Sequence, residues 1–446
     1  MRSYLQHLNL RMGEKNMMRS ELGIDIEHDV NIHLENRKES RYFFAFIWLL
    51  YAVVYMTKNC YNGAMAGIVE AGILTKSQTG LITSVFYLLY APMQIVGGKA
   101  ADKYSPEKLI KVGLIGAALA NLVIYLNQNY YIMMGAWAFN AVIQFGVWPS
   151  VFKIISSQLV RSDRKTMIFY ISFASSMGLL LSYVVAAVLP DWKMNFSVSA
   201  GALAAFAVGL HIYEKHLNPL MKWDRTPVIP AGGQAGEQSG MSTCRLFASS
   251  GFFVMVVVFF LRSIISQTAT SLSPVMLMES YEDVPAYMGN LLNLLVVGAG
   301  IAGTLLMKLV LYPKYIRNES TGVLVTLLIT FPCVLILRGI GNINIAQAVL
   351  SLCGVSLCSS AGTLLNSYFN ANYAKYGKSG LAAGISNSFS AFGFMATSYG
   401  MLKISEVSGW GMVTDVWVVL VVLALALMVV VVWQCMKFSK MEEKKN

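Results

Sequence analysis

Residues 43–69 read FFAFIWLLYAVVYMTKNCYNGAMAGIV and are almost entirely apolar. An α-helix of this length crosses roughly 30 Å of hydrocarbon, because each residue rises about 1.5 Å. Lys58 lies about halfway along the stretch, where a lysine costs roughly 2.5–3.5 kcal/mol on membrane-insertion scales. The stretch therefore predicts a membrane-spanning helix with one cation at mid-depth, and that cation requires a partner.

Similar apolar stretches recur along the whole chain. Of its 446 residues, 56% are hydrophobic and 13% are charged, about half of the roughly 25% charged residues in soluble domains. We predict an all-α polytopic membrane protein with 12 transmembrane helices in two pseudo-symmetric six-helix bundles. The predicted spans are 42–68, 77–98, 109–127, 131–158, 166–189, 194–213, 246–273, 285–307, 320–337, 344–369, 379–402 and 411–436.

These spans divide the chain into five segments, of which the linker is rich in Gly, Pro and Ser. We predict a polar cytoplasmic tail at 1–41, an N-terminal bundle at 42–213, a cytoplasmic linker at 214–245, a C-terminal bundle at 246–436 and a cytoplasmic tail at 437–446.

Basic residues concentrate on one side of the predicted membrane. The only lysines and arginines in the predicted outer segments are Lys76, Lys193, Arg338 and Lys403. By the positive-inside rule, both termini are then cytoplasmic, in a multi-pass protein of the cell (plasma) membrane. This bias accounts for the net charge of +11 without a nucleic-acid partner. We expect a monomer in the lipid bilayer.

Several kinds of chemistry lack the residues they need. The six cysteines have neither CxxC nor Cys/His ligand spacing, so we expect no disulfide, no metal and no cofactor. No nucleophile–base set or phosphate-binding loop is present in the sequence, which argues against an enzyme.

The two halves repeat each other at their buried cations. Arg41 precedes Lys58 by 17 residues, and Arg245 precedes Arg262 by the same interval. A structural ion pair would explain these cations, but the predicted spans contain no Asp or Glu except Asp415, which lies at the outer end of the last span. The two cations therefore favour a site for an anionic substrate between the halves.

Polar residues at helical spacing surround this predicted site. The first span contributes Tyr51, Tyr55 and Asn62 to the face of Lys58, the second span Tyr90 and Gln94, and the fourth span Asn140 and Gln144.

Five segments resemble those of one transporter family. They are YAVVYMTKNCYNGAMAGIVEAG at 51–72, GKAADKYSPEKLIKVGLI at 98–115, QFGVWPSVFK at 144–153, GIAGTLL at 300–306 and GLAAGISNSFSAFG at 380–393. Together they resemble the major facilitator superfamily and, within it, the organophosphate:phosphate antiporters, the exchangers of glycerol-3-phosphate and hexose phosphates. The resemblance implies the major facilitator fold, with inorganic phosphate as the counter-substrate.

The resemblance also implies roles for particular residues. The family's phosphate-binding cations fall on Lys58 and Arg262, and its other substrate-binding residues fall on Tyr51, Tyr55, Tyr90 and Trp148. Its loop motif implies gating by Gly98, Asp102, Lys103 and Lys108. The sequence departs from the family where Gln94 replaces a lysine, Ser175 a histidine and Val297 a carboxylate. The site has therefore lost charged groups, and the substrate's charge stays open.

Three functions remain open. The sequence favours a secondary active transporter that exchanges a small organic anion, a phosphate ester, for inorganic phosphate by alternating access. None of the five histidines lies in the middle of a predicted span, which argues against proton coupling. The alternatives are a proton-coupled symporter of a sugar acid or other carboxylate, and a transporter-like membrane receptor that senses a phosphate ester.

Overall fold

The computed structural model describes residues 31–160, 162–224, 242–312, 314–316, 318–376 and 378–443, which are almost entirely helical. The first half contains α1 (Arg37–Glu70), α2 (Lys76–Lys103), α3 (Pro106–Leu126), α4 (Tyr130–Ile143), α5 (Val147–Lys153), α6 (Arg164–Val188) and α7 (Met194–Leu217). The second half contains α8 (Thr243–Ser249), α9 (Phe252–Gln267), α10 (Ser273–Ser280), α11 (Ala286–Leu306), α12 (Glu319–Leu337), α13 (Ile345–Ala371) and α14 (Ser379–Glu443).

Local capping signals explain where several helices begin. The side chain of Thr75 accepts a hydrogen bond from the backbone of Gln78, which bonds back to complete a capping box at the start of α2. Ser105 caps α3, whose first residue is Pro106. Polar capping residues thus fix the short turns between apolar helices.

Ten helical segments of the described chain are long and apolar enough to cross a membrane. One of them, Leu381–Ser439, includes both of the last two predicted spans. Within it, Gly409 has a φ of 78° and interrupts the helical backbone of α14. The predicted count of twelve spans stays a prediction.

The seventh span was predicted at 246–273, whereas the corresponding helical segment in the structure runs from Phe252 to Ser280 and is thus shifted towards the C-terminus. Gly251 adopts a left-handed conformation with a φ of 78°, so a new helix begins at Phe252. A π-helical segment, Thr268–Leu272, joins α9 to α10, and the helix continues to Ser280. The apolar pattern marked this span but not the backbone break at Gly251.

A short antiparallel sheet joins parts of the predicted tail and linker. Strand β1 (Asn31–Leu34) pairs with β2 (Met221–Asp224), so that Leu34 lies opposite Met221. Beside the sheet, Lys222 forms an ion pair with Glu35. The sequence analysis predicted neither strand.

Three apolar clusters show how the halves pack. We name the two ends of the bundle after Lys76, where α2 begins, and Lys103, where α2 ends. At the Lys76 end, one cluster joins both halves, for example Phe86 with Ile264. At the Lys103 end, one cluster belongs to the first half and another to the second. Among the described residues, the halves therefore share an apolar cluster only at the Lys76 end.

Two glycines of α11 test this packing. A Cβ at Gly303 would overlap the backbone carbonyl of Leu357 in α13, whereas a Cβ at Gly298 would meet nothing within 4 Å. Because alanine is favoured over glycine in a helix by about 1 kcal/mol, Gly298→Ala should keep or raise the thermal midpoint. Gly303→Ala should lower it by several degrees, measured by tryptophan fluorescence in detergent. Equal midpoints for the two variants would contradict this helix crossing.

Candidate functional site

Three aromatic rings surround the ammonium group of Lys58. Its Nζ atom lies 3.6 Å from the centroid of the Tyr90 ring, 5.2 Å from that of Tyr55 and 5.7 Å from that of Phe86. Cation–π attraction at such distances offsets part of the cost of burying the charge. None of the ion pairs found among the described residues includes Lys58. Its positive charge is therefore stabilised but not neutralised.

Aromatic contacts extend from this cage along α1. The rings of Tyr51 and Tyr55 meet edge to face at 5.1 Å, and Tyr51 packs on Trp148 at 4.9 Å. Phe86 stacks on Tyr90 at 5.6 Å. The structure thus brings four predicted aromatic residues together near Lys58. Phe86 was missed, although its spacing of four residues from Tyr90 places both on one face of α2.

Arg262 is anchored to α13. It is buried, and its Nη2 atom donates hydrogen bonds to the carbonyl of Ser359 and to Oγ1 of Thr363, the latter at 2.7 Å. Its Cζ atom lies 5.0 Å from the centroid of the Phe259 ring. The Nη1 atom is buried without a hydrogen-bond partner in the described part of the chain. One end of a fixed guanidinium group therefore keeps hydrogen-bond donors that no described residue uses.

Gly362 makes room for this guanidinium group. A Cβ at this position would overlap Nη1 of Arg262. The sequence analysis missed this residue, because a glycine within an apolar helix does not reveal which side chain approaches it.

The other predicted substrate-binding residues supply mostly amide groups. Gln144 donates to Oδ1 of Asn140 at 2.6 Å, and Asn62 donates to Oδ1 of Asn59 at 3.3 Å. The Nε2 atom of Gln94 and the Nδ2 atom of Asn140 are buried and have no acceptor among the described residues. A buried donor without an acceptor costs about 1–3 kcal/mol. An oxygen-rich ligand would satisfy both.

Two predicted positions contribute less to this arrangement. Ser175 is half-buried on α6. Val297, where the resemblance implies a carboxylate in the family, is buried on α11 and adds no charge.

Hydrogen bonds between the halves lie on the Lys76 side of the two cations. Gln267, one to two turns beyond Arg262, donates to the hydroxyl of Tyr87 at 3.1 Å. Tyr183 donates to the carbonyl of Thr270 at 2.9 Å, and Asn290 donates to that of Gly63 at 3.0 Å. This layer closes the candidate site on that side.

A charged bridge joins the halves at the Lys76 end itself. Lys76 forms an ion pair with Glu279 at 2.7 Å, and the indole of Trp410 donates to the same carboxylate oxygen at 2.8 Å. Nearby, the backbone N–H of Ser77 donates to Glu406 of the second half. The sequence analysis placed Lys76 in an outer segment without predicting its contact with Glu279.

The two predicted gating residues with described side chains, Lys103 and Lys108, do not contact each other. Lys103 is exposed, with its Nζ atom 5.7 Å from the ring centroid of Tyr104. Lys108 is also exposed, and its backbone N–H bonds to the capping Ser105. Gly98 and Asp102 belong to α2, but their surroundings lie outside the described residues. Their gating role stays a prediction.

An ion-pair cluster ties α1 to α6 at the Lys103 end. Asp163 bonds to Arg37 at 2.7 Å and to Arg41 at 3.1 Å. Hydrogen bonding to Arg37 is the main cause that holds the pKa of the Asp163 carboxyl well below its ordinary value. This carboxylate therefore stays ionised at neutral pH and links two helices of the first half.

Known proteins resemble this chain in sequence and in fold. The sequence profile of the Major Facilitator Superfamily matches residues 47–398. A crystal structure of a bacterial homolog of the human lysosomal transporter Spinster, inward-facing and unoccupied, aligns with a TM-score of 0.70 at 14% identity. The alignment covers 90% of this chain and 99% of that chain. The predicted major facilitator fold is confirmed.

Curated relatives match over shorter segments. The membrane sensor protein UhpC of Salmonella typhimurium is 28% identical over 165 residues, 37% of each chain. A probable hexose phosphate transport protein of Chlamydia trachomatis is 25% identical over 146 residues, 33% of this chain and 32% of its own. The probable sulfoacetate transporter SauU of Cupriavidus necator is 42% identical over 160 residues, 36% of each chain. The matched segments thus span about a third of each relative. The predicted resemblance to organophosphate:phosphate antiporters is confirmed.

A double-mutant cycle tests the aromatic cage independently of function. Tyr90→Leu should destabilise the protein when Lys58 is present, because the ammonium loses its nearest ring. The same change should cost less in a Lys58→Met background. We expect a coupling of about 1–2 kcal/mol from thermal unfolding in detergent, and Tyr90→Phe should preserve most of it. Additive effects of Tyr90→Leu and Lys58→Met would contradict the cation–π contact.

Proposed function

Because the chain belongs to the Major Facilitator Superfamily, we propose that it is a secondary active transporter of a small organic anion. The observation that carries this proposal is a pair of cations inside the bundle, the half-buried Lys58 and the buried Arg262, one in each half and neither paired with a described carboxylate. An anion between the halves would interact with both cations. Its binding would then be coupled to the relative position of the halves.

The proposed substrate is a phosphate ester, exchanged for inorganic phosphate. A phosphoryl group offers several acceptor oxygens to the ammonium of Lys58 and to the free edge of Arg262. The amide donors of Gln94 and Asn140 would take further oxygens of the ester. The similarity to a hexose phosphate transport protein supports this choice.

A small sulfonate or carboxylate is the second candidate substrate. Gln94 is neutral where the resemblance implies a lysine, and Ser175 where it implies a histidine, so the site has fewer cationic groups and suits a less highly charged anion. The segment similar to the sulfoacetate transporter SauU favours the same class. Coupling to protons would then replace phosphate exchange. The similarity to the sensor UhpC supports a third candidate, a receptor that binds the anion without transporting it.

The proposed orientation places the Lys103 end in the cytoplasm, together with both chain termini. The proposed protein crosses the plasma membrane twelve times, and the break at Gly409 separates the last two spans. The excess of basic residues at the Lys103 end supports this orientation. In this orientation the Lys76 bridge closes the outer side, and substrate reaches the cations from the inner side. Transport requires the halves to rock until the Lys76 contacts separate.

Exchange in liposomes tests the proposed function. Purified protein in vesicles loaded with inorganic phosphate should take up radiolabelled phosphate, and sugar phosphates should compete. Removing one charge from a buried site costs about 2–5 kcal/mol, so Lys58→Ala and Arg262→Ala should each reduce exchange more than about tenfold. Lys58→Arg should retain exchange, because the positive charge remains.

Lys314→Ala provides the matched control. Lys314 is exposed and contacts the ring of Tyr315 at 5.1 Å, so the variant removes a cation and a cation–π contact away from the site. It should exchange like the unmodified protein. Folded protein that exchanges no phosphate would overturn the antiport proposal, and labelled sulfoacetate or sugar acids would then test the second candidate.

Labelling of a buried position tests the closed Lys76 end. Ser398 is buried beside Gly80 of α2, so a cysteine in its place should react slowly with maleimide. Glu279→Gln weakens the bridge to Lys76, and we expect labelling to rise about threefold to tenfold, which corresponds to roughly 1 kcal/mol. Cys244, which is exposed, is replaced by serine in all of these variants.

Asp415→Asn is the control for this experiment. Asp415 pairs with Arg338 within the second half at the same end of the bundle, so its loss should leave the labelling rate unchanged. Equal rates in Glu279→Gln and Asp415→Asn would show that the ion pair does not hold the halves together.

A further inference from the structure

A second cavity lies at the Lys103 end of the second half, away from Lys58 and Arg262. Its volume is about 280 Å³, and it lies between helices α12, α13 and α14 and the turn at Ser250 that joins α8 to α9. Its walls combine one carboxylate with hydroxyl groups and aromatic rings, from Ser250, Glu319, Phe369, Tyr373, Tyr376 and Phe438. Nothing in the proposed transport mechanism uses this cavity.

Glu319 gives the cavity a negative charge. It lies half-buried in the first turn of α12, where its Oε1 atom accepts from the hydroxyl of Tyr312 at 2.8 Å and its Oε2 atom accepts from Nδ2 of Asn372 at 3.2 Å. Both donors are neutral. At the same end, Glu35 and Glu214 are paired with lysines, whereas Glu319 has no cationic partner in the described chain. Its charge is thus available to a cationic ligand.

Aromatic rings fix the rest of the cavity. Tyr373 packs against Phe369 with ring centroids 5.7 Å apart and against Phe252 at 5.4 Å. Its hydroxyl shares a hydrogen bond of 2.6 Å with Oγ of Ser250. These contacts hold the rings in place before any ligand binds. Preorganised rings beside a carboxylate are the arrangement that recognises organic ammonium groups.

A further buried acceptor lies next to this region. The Oε1 atom of Gln434 is buried and has no donor among the described residues. Gln434 precedes Cys435, which lines the cavity, and it packs beside Gly251. This buried acceptor favours a ligand that donates hydrogen bonds, as an ammonium group does.

We propose that this cavity binds an alkylammonium group through Glu319 and the surrounding aromatic rings. The ligand is either a small free amine or the headgroup of a zwitterionic phospholipid. Lys437 supports the lipid source, because it directly precedes Phe438 and is exposed beside Trp433, with its Nζ atom 5.2 Å from that ring. In that position it would meet a lipid phosphate while the ammonium enters the cavity.

Thermal unfolding of the purified full chain tests the free-amine source. In dodecyl maltoside, choline or ethanolamine chloride should raise the midpoint by about 2–4 °C relative to sodium chloride at equal ionic strength. Glu319→Gln should abolish the shift. Phe438→Ala keeps the carboxylate and its two hydrogen bonds but removes one ring of the cavity. It should weaken the apparent affinity for choline or ethanolamine at least about fivefold.

Nanodiscs test the lipid source. Phosphatidylethanolamine should raise the midpoint relative to phosphatidylglycerol with the same acyl chains, and Glu319→Gln or Phe438→Ala should remove the difference. The control is Glu107→Gln, because Glu107 also accepts from a neutral side chain, Gln158, but lies outside the cavity. Stabilisation in either arm that depends on Glu319 supports the proposal. No stabilisation in either arm, or an equal loss in Glu107→Gln, overturns it. These outcomes do not depend on phosphate exchange.

Discussion

The constraint on which the rest of the structure depends is the enclosure of two cations, the half-buried Lys58 and the buried Arg262, without a carboxylate partner among the described residues. An ion in a low-dielectric interior normally pairs or loses its charge. Here neutral groups stabilise both ions instead: rings surround Lys58, while a carbonyl, a hydroxyl and a ring hold Arg262. Such partners lower the cost of burial and leave the charges uncancelled. Every helix that contributes one of them must therefore be held closely in place, as α1 is by its tight packing against α6.

Small residues permit that close packing. Gly178 of α6 lies against the backbone of α1 at Ala52, and Gly63 of α1 lies against Ser182 of α6. Across the two halves, Gly80 of α2 meets the carbonyl of Ser398. Close backbone approach at small residues is a main source of helix association in membranes. Glycine contacts within a half make that half rigid, whereas glycine contacts between the halves join them on one side only. A molecule built this way can change shape by moving whole halves.

Hydropathy and helical spacing predict most of this architecture. The apolar stretches locate the helices, and the spacing of Tyr51, Tyr55 and Lys58 places them on one face, as the structure shows. Contacts between segments that are distant in the sequence were harder to predict. The pairing of β1 with β2 involves polar stretches without periodicity, and the space that Gly362 leaves for Arg262 depends on how α9 crosses α13. The break at Gly251 depends on a single left-handed residue. Local pattern fixes which face of a helix is polar, whereas crossing geometry fixes what that face meets.

The two cations differ in a way that matters for binding. Arg262 is tied to α13 through Nη2, so its planar group has one orientation and presents one edge. Lys58 is held by rings alone, and cation–π attraction depends weakly on the direction of the ammonium N–H bonds. The lysine can therefore turn its donors towards an anion while keeping part of its contact with Tyr90. A fixed cation on one half and an adjustable one on the other would allow the proposed anion to stay bound while the distance between the halves changes, as the proposed rocking transport requires.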